Sequence, residues 1–286
     1  MTPDRIGVFL RSLGIADIAP ALVAVRERLG LNLIQVSRLP LEHYTKEGAR
    51  RLAALLAEAG VRADSVVIVH EGESYGDAES VRRTVGYLPE ETLAERLAYS
   101  RRCIDFAAAL RVRRATTHMG MLPRERSDPG YARLLQAVRE LGDYANSRGV
   151  VFALETGQES AQALLAFLEE VPNFSLGINF DPANFVIYGS GDPLQSLVLL
   201  RDYVVGVHVK DALPPVAPGQ LGREARPGQG QARLAECLNY LAESAYIGSF
   251  VIENYLAYGR SLDERLSELA LARRFVETTL EHYDVV

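Results

Sequence analysis

The fold is indicated by four short stretches, VFALE (151–155), GINFD (177–181), VVGVH (204–208) and FVIE (250–253), each ending on a residue able to bind a metal ion. Each stretch is typical of a buried strand that ends at a polar side chain. In a parallel α/β barrel the carboxyl ends of all strands meet on one face, where active sites are built. Three carboxylates and one imidazole at that face suit a single divalent cation. The predicted ligands are Glu155, Asp181, His208 and Glu253.

Strand and helix patterns alternate along the whole chain. Short apolar runs predict eight strands, at residues 6–10, 33–36, 66–69, 115–118, 151–155, 177–181, 204–209 and 250–253. Helical periodicity is clear over residues 50–58, 93–110, 131–146, 161–169, 234–244 and 262–281. Eight βα units in 286 residues match the size of one closed barrel. We therefore predict an α/β fold, a single (β/α)8 TIM barrel in one domain over residues 1–286.

Three helix starts carry clear capping signals. Asp128-Pro129 and Asp192-Pro193 each place a capping carboxylate before a proline at the first helical position. Ser261 and Glu264 have the spacing of a capping box. Two connections, residues 70–91 and 211–230, are longer than usual for this fold. Both follow strands, so we expect them to shape a substrate pocket at the metal face.

Composition narrows the class of protein. The net charge is −6, which argues against a nucleic-acid partner, and no apolar run is long enough for a membrane span. The first residues lack the pattern of a signal peptide. Cys103 and Cys237 lie in helical patterns and predict reduced core thiols of a cytoplasmic protein. A small-molecule substrate fits this balance, and a homo-oligomer is compatible with it.

Several motifs resemble the xylose isomerase-like TIM barrel, the sugar phosphate isomerase/epimerase superfamily. They are HEGESYGD (70–77), VRRTVGYLP (81–89), ALETGQE (153–159), GINFDPANFVIYGSGDP (177–193), VVGVHVKD (204–211) and VIENY (251–255). The resemblance implies one divalent ion, with Mn²⁺ expected and Mg²⁺, Co²⁺ or Zn²⁺ as alternatives. The ligands that it implies are again Glu155, Asp181, His208 and Glu253.

The resemblance also covers enzymes with other chemistry. Endonuclease IV-like members hold three zinc ions, and His70 and His118 stand where such a cluster's first ligands would be. Those members carry a histidine where this chain has Asn184. The ketose 3-epimerases also place a substrate-binding histidine there, so this chain departs from both. Glu159 is similar to a substrate-binding glutamate of the superfamily.

The expected reaction is isomerisation or epimerisation of a small sugar, ketose or sugar phosphate. A bound ion would act as a Lewis acid on an enediolate, while Glu155 and Glu253 remove and return the proton from opposite faces. Dehydration or lyase chemistry on a polyol is the alternative, and an endonuclease IV-like phosphodiesterase is a further one. A hydride shift assisted by Lys210 also stays open. The residues expected to bind substrate are His70, His118, Glu159, Asn184, Lys210, Arg223 and Arg226.

Overall fold

The molecule is a closed parallel barrel surrounded by helices. The structure, a computed structural model, describes residues 3–171, 175–217, 219–244 and 246–283. The strands are β1 (Ile6–Phe9), β2 (Leu33–Ser37), β3 (Arg62–Ile68), β4 (Arg114–Thr117), β5 (Val151–Glu155), β6 (Leu176–Phe180), β7 (Val204–Val209), β8 (Asp211–Leu213), β9 (Arg223–Ala225) and β10 (Phe250–Ile252). The barrel order is β1-β10-β7-β6-β5-β4-β3-β2, and every neighbouring pair is parallel. This confirms the predicted (β/α)8 TIM barrel.

Helices cover the outside of the barrel. They are α1 (Leu10–Leu13), α2 (Ile18–Val23), α3 (Lys46–Ala59), α4 (Ala78–Thr84), α5 (Leu93–Ala109), α6 (Pro129–Ser147), α7 (Ala161–Glu169), α8 (Pro182–Tyr188), α9 (Pro193–Leu200), α10 (Leu234–Glu243) and α11 (Leu262–Thr279). Short 3₁₀ turns lie at Pro3–Arg5, Leu41–His43, Glu90–Thr92 and Arg201–Tyr203, and a π turn lies at Ala24–Arg28. Among the described helices, none is long and apolar enough to cross a lipid bilayer.

The predicted capping signals are confirmed. Asp128 accepts from the Gly130 amide and Asp192 from the Gln195 amide, while Ser261 and Glu264 form a reciprocal capping box. One more Asp-Pro pair starts a helix. Asp181, predicted as the last residue of a strand, lies just past β6 and caps α8, because Pro182 occupies the first helical position.

Both long connections contain regular structure. Residues 70–91 include α4, and residues 211–230 include β8 and β9, which pair antiparallel. The short segments DAL and REA lack the apolar alternation that identifies a strand, so periodicity alone did not reveal this hairpin. Cys103 and Cys237 are buried free thiols, as predicted.

A polar cluster closes the end of the barrel opposite the predicted site. Arg114 at the start of β4 forms an ion pair with Asp64 of β3 and donates to Ser249 Oγ at 3.0 Å. Ser249 Oγ in turn donates to Asp64. Both charged side chains are largely buried, so their mutual pairing offsets the cost of burial. This cluster ties three strands together at the amino-terminal face and leaves the other face for chemistry.

Candidate metal centre and active site

The structure brings the four predicted ligands together at the carboxyl ends of β5, β6, β7 and β10. One ligand atom from each of Glu155, Asp181, His208 and Glu253 lies within 4.8 Å of all the others, and all four residues are buried. Ligands 2.0–2.6 Å from one ion on opposite sides are separated by about 5 Å. Three carboxylates and an imidazole at this spacing fit one divalent cation.

The imidazole of His208 is oriented by groups on the opposite side of the barrel. Its Nδ1 faces the carboxylates, 2.7 Å from Glu155 Oε1 and 3.2 Å from Glu253 Oε2. Its Nε2 lies 2.8 Å from the Gln35 side-chain oxygen on β2, and Phe9 stacks against the ring. The Gln35 oxygen accepts a hydrogen bond from Nε2–H, which directs Nδ1 toward the carboxylates, where it can bind a metal ion once its own proton has been displaced.

Glu155 is held by its neighbouring strand. Asn179 on β6 pairs with Glu155 in register and donates from Nδ2 to Glu155 Oε2 at 2.9 Å. The Asn179 side chain passes close to Gly206 of β7, where a Cβ would lie 2.4 Å from Asn179 Oδ1. The glycine in VVGVH therefore makes room for the amide that orients the first ligand, and the other oxygen of Glu155 stays directed at the centre.

Asp181 serves the helix cap and the site with different oxygens. Its Oδ1 accepts from the Ala183 and Asn184 amides at the start of α8. Its Oδ2 lies 3.1 Å from Lys210 Nζ and 3.7 Å from His208 Nδ1. The cap orients the carboxylate before any ligand arrives.

Lys210, predicted from the sequence to bind substrate, lies beside the four ligand candidates. Its Nζ donates to Asp181, to Glu253 Oε2 at 2.9 Å and to Asn184 Oδ1 at 3.3 Å. Asn184 is itself oriented by donation to the Thr156 carbonyl. The ammonium is thus positioned within reach of both the ligand carboxylates and the cavity.

The site has a strongly negative field. Burial opposes charge on His208, but the carboxylates of Glu155 and Glu253 outweigh it and hold the pKa of His208 well above its ordinary value. Burial likewise opposes charge on Lys210, yet Asp181 and Glu253 raise its pKa. Lys210 and His208 together overcome burial at Glu253 and hold the pKa of that carboxyl well below its usual range. Three buried carboxylates would therefore stabilise a divalent cation bound at this site, and the cation would offset most of their negative charge.

A cavity of about 660 Å³ opens above the centre. Its lining includes Glu155, His208, Glu253, Lys210, Asn184 and His118. The aromatic side chains Phe9, Tyr75, Tyr188, Tyr255 and Tyr258 complete the wall. This volume lies within the range of about 300–1,000 Å³ that is usual for small-molecule sites.

Four residues that were predicted to bind substrate are outside the lining of the cavity above the metal centre. His70 lines a neighbouring cavity beside α5, and Glu159 lines a groove beyond Tyr188. Arg223 is exposed at the start of β9, and Arg226 forms a bidentate ion pair with Glu268 on α11. The connection at residues 211–230 therefore contributes neither Arg223 nor Arg226 to the described wall of this cavity.

Glu224 of β9 is a cavity residue that sequence reasoning missed. Both of its carboxylate oxygens accept from the Tyr255 amide, at 2.9 and 3.0 Å. Burial raises the pKa of Glu224 to about 7, although Lys210 opposes that shift. Only the folding of the hairpin brings this carboxyl over the site, so no local pattern distinguished it from the arginines around it.

Replacing Gln35 by Leu should weaken Mn²⁺ binding by about 10–100-fold. Losing the group that accepts a hydrogen bond from a ligand histidine typically lowers metal affinity by this much. Leucine fills a similar volume but leaves His208 Nε2 without its acceptor. Mn²⁺ affinity measured by isothermal titration tests this, with Gln158→Leu, another buried glutamine, as the matched control. Equal affinities in wild type and Gln35→Leu would contradict the assigned role.

Glu159 should make the folded state less stable as pH rises. Burial raises its pKa from 4.5 to about 8. Between those values the unfolded chain has released the proton while the folded chain still binds it, so stability falls with rising pH. Glu159→Gln should therefore be more stable than wild type near pH 9, by about 4 kcal/mol, and within about 1 kcal/mol of it near pH 5.

Urea unfolding at several pH values measures this difference. Glu58→Gln, an exposed substitution on α3, is the control and should follow wild type at every pH. Parallel stability curves for wild type and Glu159→Gln would show that burial does not perturb this carboxyl.

Comparison with known proteins identifies relatives that match this chain over most of its length. The sequence model described as xylose isomerase-like TIM barrel matches residues 23–272. A solved xylose isomerase domain protein from Planctomyces limnophilus is 32% identical, with 98% of this chain and 97% of that chain covered and a TM-score of 0.86. Comparison with curated proteins gives no match.

More distant solved structures share the fold. A xylose isomerase-like TIM barrel protein from Mycobacterium smegmatis, in complex with magnesium, is 21% identical over 96% of this chain and 97% of that chain, with a TM-score of 0.71. D-psicose 3-epimerase with D-tagatose from Clostridium cellulolyticum H10 is 18% identical over 97% of both chains, with a TM-score of 0.68. The family match over most of the sequence is decisive: the chain belongs to the xylose isomerase-like TIM barrel family.

Proposed function

We propose that this protein is a divalent-metal-dependent isomerase or epimerase of a small sugar, ketose or sugar phosphate. The observation that carries the proposal is the pair Glu155 and Glu253, which approach His208 Nδ1 from different strands beneath a cavity suited to a small molecule. Membership of the family supports it, and so do structural neighbours whose names are those of ketose 3-epimerases.

The proposed cofactor is one divalent ion, with Mn²⁺ first and Mg²⁺, Co²⁺ or Zn²⁺ as alternatives. Glu155, Asp181, His208 and Glu253 would hold it. Oxygen ligands with one imidazole suit Mn²⁺ and Mg²⁺, and the magnesium complex of the Mycobacterium smegmatis relative is consistent with this choice. When bound, the ion would supply Lewis-acid polarisation of a carbonyl and a neighbouring hydroxyl.

Glu155 and Glu253 would exchange the proton. Glu155 keeps one oxygen bound to Asn179, which restricts its motion, while Glu253 Oε2 is shared by His208 and Lys210. The two carboxylates come from β5 and from the end of β10, so they approach the centre from different directions. One removes the proton from the carbon beside the carbonyl, and the other returns a proton to the opposite face.

Lys210, Asn184 and His118 would bind the substrate. Lys210 and Asn184 are joined by a hydrogen bond, so together they present donors and acceptors to sugar hydroxyls. The His118 Nδ1 atom is buried and has no hydrogen-bond partner in the described ranges of the chain, and the ring centroid lies 5.5 Å from that of Tyr75. An imidazole with an unsatisfied nitrogen at the cavity wall is suited to a substrate hydroxyl.

An activity panel tests the proposal. The metal-loaded protein is incubated with ketoses, aldoses and their phosphates, and products are separated by chromatography. Interconversion of at least one sugar pair, lost on chelation and restored by Mn²⁺, is expected. No turnover of any sugar with Mn²⁺, Mg²⁺, Co²⁺ or Zn²⁺ would refute the proposed function.

Turnover in D₂O should place deuterium at the reacting carbon. A proton held by a carboxylate exchanges with solvent, whereas a hydride that migrates between carbons does not. Mass spectrometry and NMR of the product measure the incorporation. Product free of deuterium after complete turnover would favour a hydride shift and remove Glu155 and Glu253 from their assigned roles.

A further inference from the structure

A second cavity of about 700 Å³ lies beside the active site. One wall is formed by Thr92, which directly precedes α5, and by Arg96 and Tyr99 of α5. The other walls are the segments that follow β2 and β3. Val69 lines both cavities. The second cavity therefore opens near the same carboxyl face of the barrel but contains none of the four metal-ligand candidates.

Arg96 is a buried charge that forms no direct ion pair with any described residue. It is 6% exposed and is the only buried arginine among the described residues. Its guanidinium donates to the Gly86 carbonyl at 2.5 Å and to the Glu71 carbonyl at 3.4 Å, and its Nε has no acceptor. No described carboxylate lies within ion-pair distance of it, although Glu73 interacts with it at longer range. Burying an uncompensated charge is costly, so an anion from outside would stabilise this arrangement.

Two further polar atoms in the wall are unsatisfied. His70 is 2% exposed, and its Nε2 has no hydrogen-bond partner among the described residues. Thr92 Oγ1, at the amino-terminal end of α5, likewise has none within the part of the chain that the structure describes. Burial and the nearby Arg96 lower the pKa of His70 to about 3, so the ring is neutral and can donate from one nitrogen. Buried polar atoms normally find partners, and these two border the same cavity as Arg96.

The rim adds positive charge. Arg38 and Arg102 are both exposed and line the cavity. Arg38 has φ 50°, a left-handed conformation that is strained for a residue with a side chain and is often found at functional positions. Glu71 and Glu95 also stand on the rim, where both are exposed to solvent. Three arginines therefore line this cavity against two exposed carboxylates, an excess of positive charge that favours a negative ligand.

We propose that the second cavity binds a small anion bearing a phosphate or carboxylate group. Arg96 at the buried wall and Arg38 with Arg102 at the rim would hold the anionic group, and His70 and Thr92 would complete its hydrogen bonds. The anion is either an effector in its own right or the charged end of a substrate that reaches past Val69. This inference stands without the proposed isomerase activity.

Inorganic phosphate is the probe. It is titrated at constant ionic strength into wild type, into Arg38→Gln/Arg102→Gln and into Arg50→Gln/Arg51→Gln, and affinity is taken from the rise in melting temperature. The third protein loses the same charge from exposed sites on α3. We expect wild type and this control to be stabilised alike. The rim variant should bind phosphate about tenfold or more weakly, because charged hydrogen bonds are lost.

A second arm separates the two sources of the anion. The titrations are repeated with fructose 6-phosphate, with and without Mn²⁺. Equal binding of phosphate and sugar phosphate regardless of the metal indicates an independent effector site, whereas tighter sugar-phosphate binding that needs both Mn²⁺ and the rim arginines indicates a substrate end. An equal response of all three proteins to phosphate, or no response in wild type, would overturn the proposal.

Discussion

Glu253→Gln and Glu155→Gln should each lower turnover by about 10²–10⁴-fold when the protein is saturated with Mn²⁺, the usual contribution of a positioned acid or base. Glutamine keeps the size and an oxygen ligand but cannot accept and return a proton. At position 155 the amide still meets Asn179, and at position 253 it still meets Lys210, so the local packing is largely retained. The loss should therefore appear in kcat after metal binding has been restored.

Metal content must be measured in the same samples. Asp181→Asn is the matched variant, since it removes a ligand charge without removing either proposed acid/base group. We expect it to weaken Mn²⁺ binding and to recover more activity at saturating metal than the two glutamate variants. A glutamate variant that turns over at nearly the wild-type rate with Mn²⁺ bound would show that this residue only ligates.

The sequence predicted the barrel and the quartet because both depend on local patterns. The strands at residues 151–155 and 204–209 have the predicted bounds, and the last helix starts at its predicted cap. Asp181 falls one residue beyond its strand because the proline after it starts a helix. That shift does not move its carboxylate away from the others, since the first residue past a barrel strand still lies at the carboxyl face.

The residues that orient the metal-ligand candidates could not be predicted from local sequence patterns. Gln35 meets His208 across the barrel, 173 positions away in sequence. Nothing in the stretch LIQVS distinguishes a glutamine that orients a ligand from one that is simply buried. Asn179 and Gly206 act as a pair through one close approach between neighbouring strands. Such relations depend on barrel closure and register, which sequence periodicity does not specify.

The position of His70 has a specific cause. Strand β3 ends at Ile68, and the carboxylate of Glu73 then accepts from the His70 and Gly86 amides. This turn directs His70 toward the second cavity, where Tyr87 and Tyr99 pack edge-on against it. From the sequence, a histidine after a strand predicted a residue of the main pocket. The contacts that turn it away come from a loop whose structure was not predicted.

Asp211→Ala should destabilise the protein by about 3–5 kcal/mol, because a buried carboxylate that accepts several hydrogen bonds would be lost. Asp211 is 2% exposed, and its two oxygens accept from four backbone amides, at 2.9–3.0 Å. The donors are Ala212, Gly228, Gly230 and Ala232. This one side chain therefore closes the connection that follows β7 and holds both ends of the β8–β9 hairpin in place.

Gly230 is the residue that allows the chain to approach Asp211 closely. A Cβ on that residue would lie 2.1 Å from Asp211 Oδ1, so only glycine lets the amide reach the carboxylate. Urea unfolding gives the stability change, with Asp202→Ala, an exposed aspartate before β7, as the control expected to be nearly neutral. Asp211→Asn should fall between the two, because one oxygen and two of the four acceptor contacts remain.

The variant Asp211→Asn shows whether Asp211 stabilises the whole protein or only the β8–β9 hairpin. If Asp211 acts mainly on the hairpin, amide exchange in Asp211→Asn should accelerate at residues 211–217 and 219–232 while the barrel strands remain protected. Because Glu224 reaches the cavity only through this hairpin, loss of order there would also alter the wall facing Lys210 and Tyr255. Unchanged exchange in the hairpin together with unchanged stability would show that the four hydrogen bonds contribute little. We do not expect that outcome, because each of the four amides would need a new hydrogen-bond partner and those of Ala212 and Ala232 are buried.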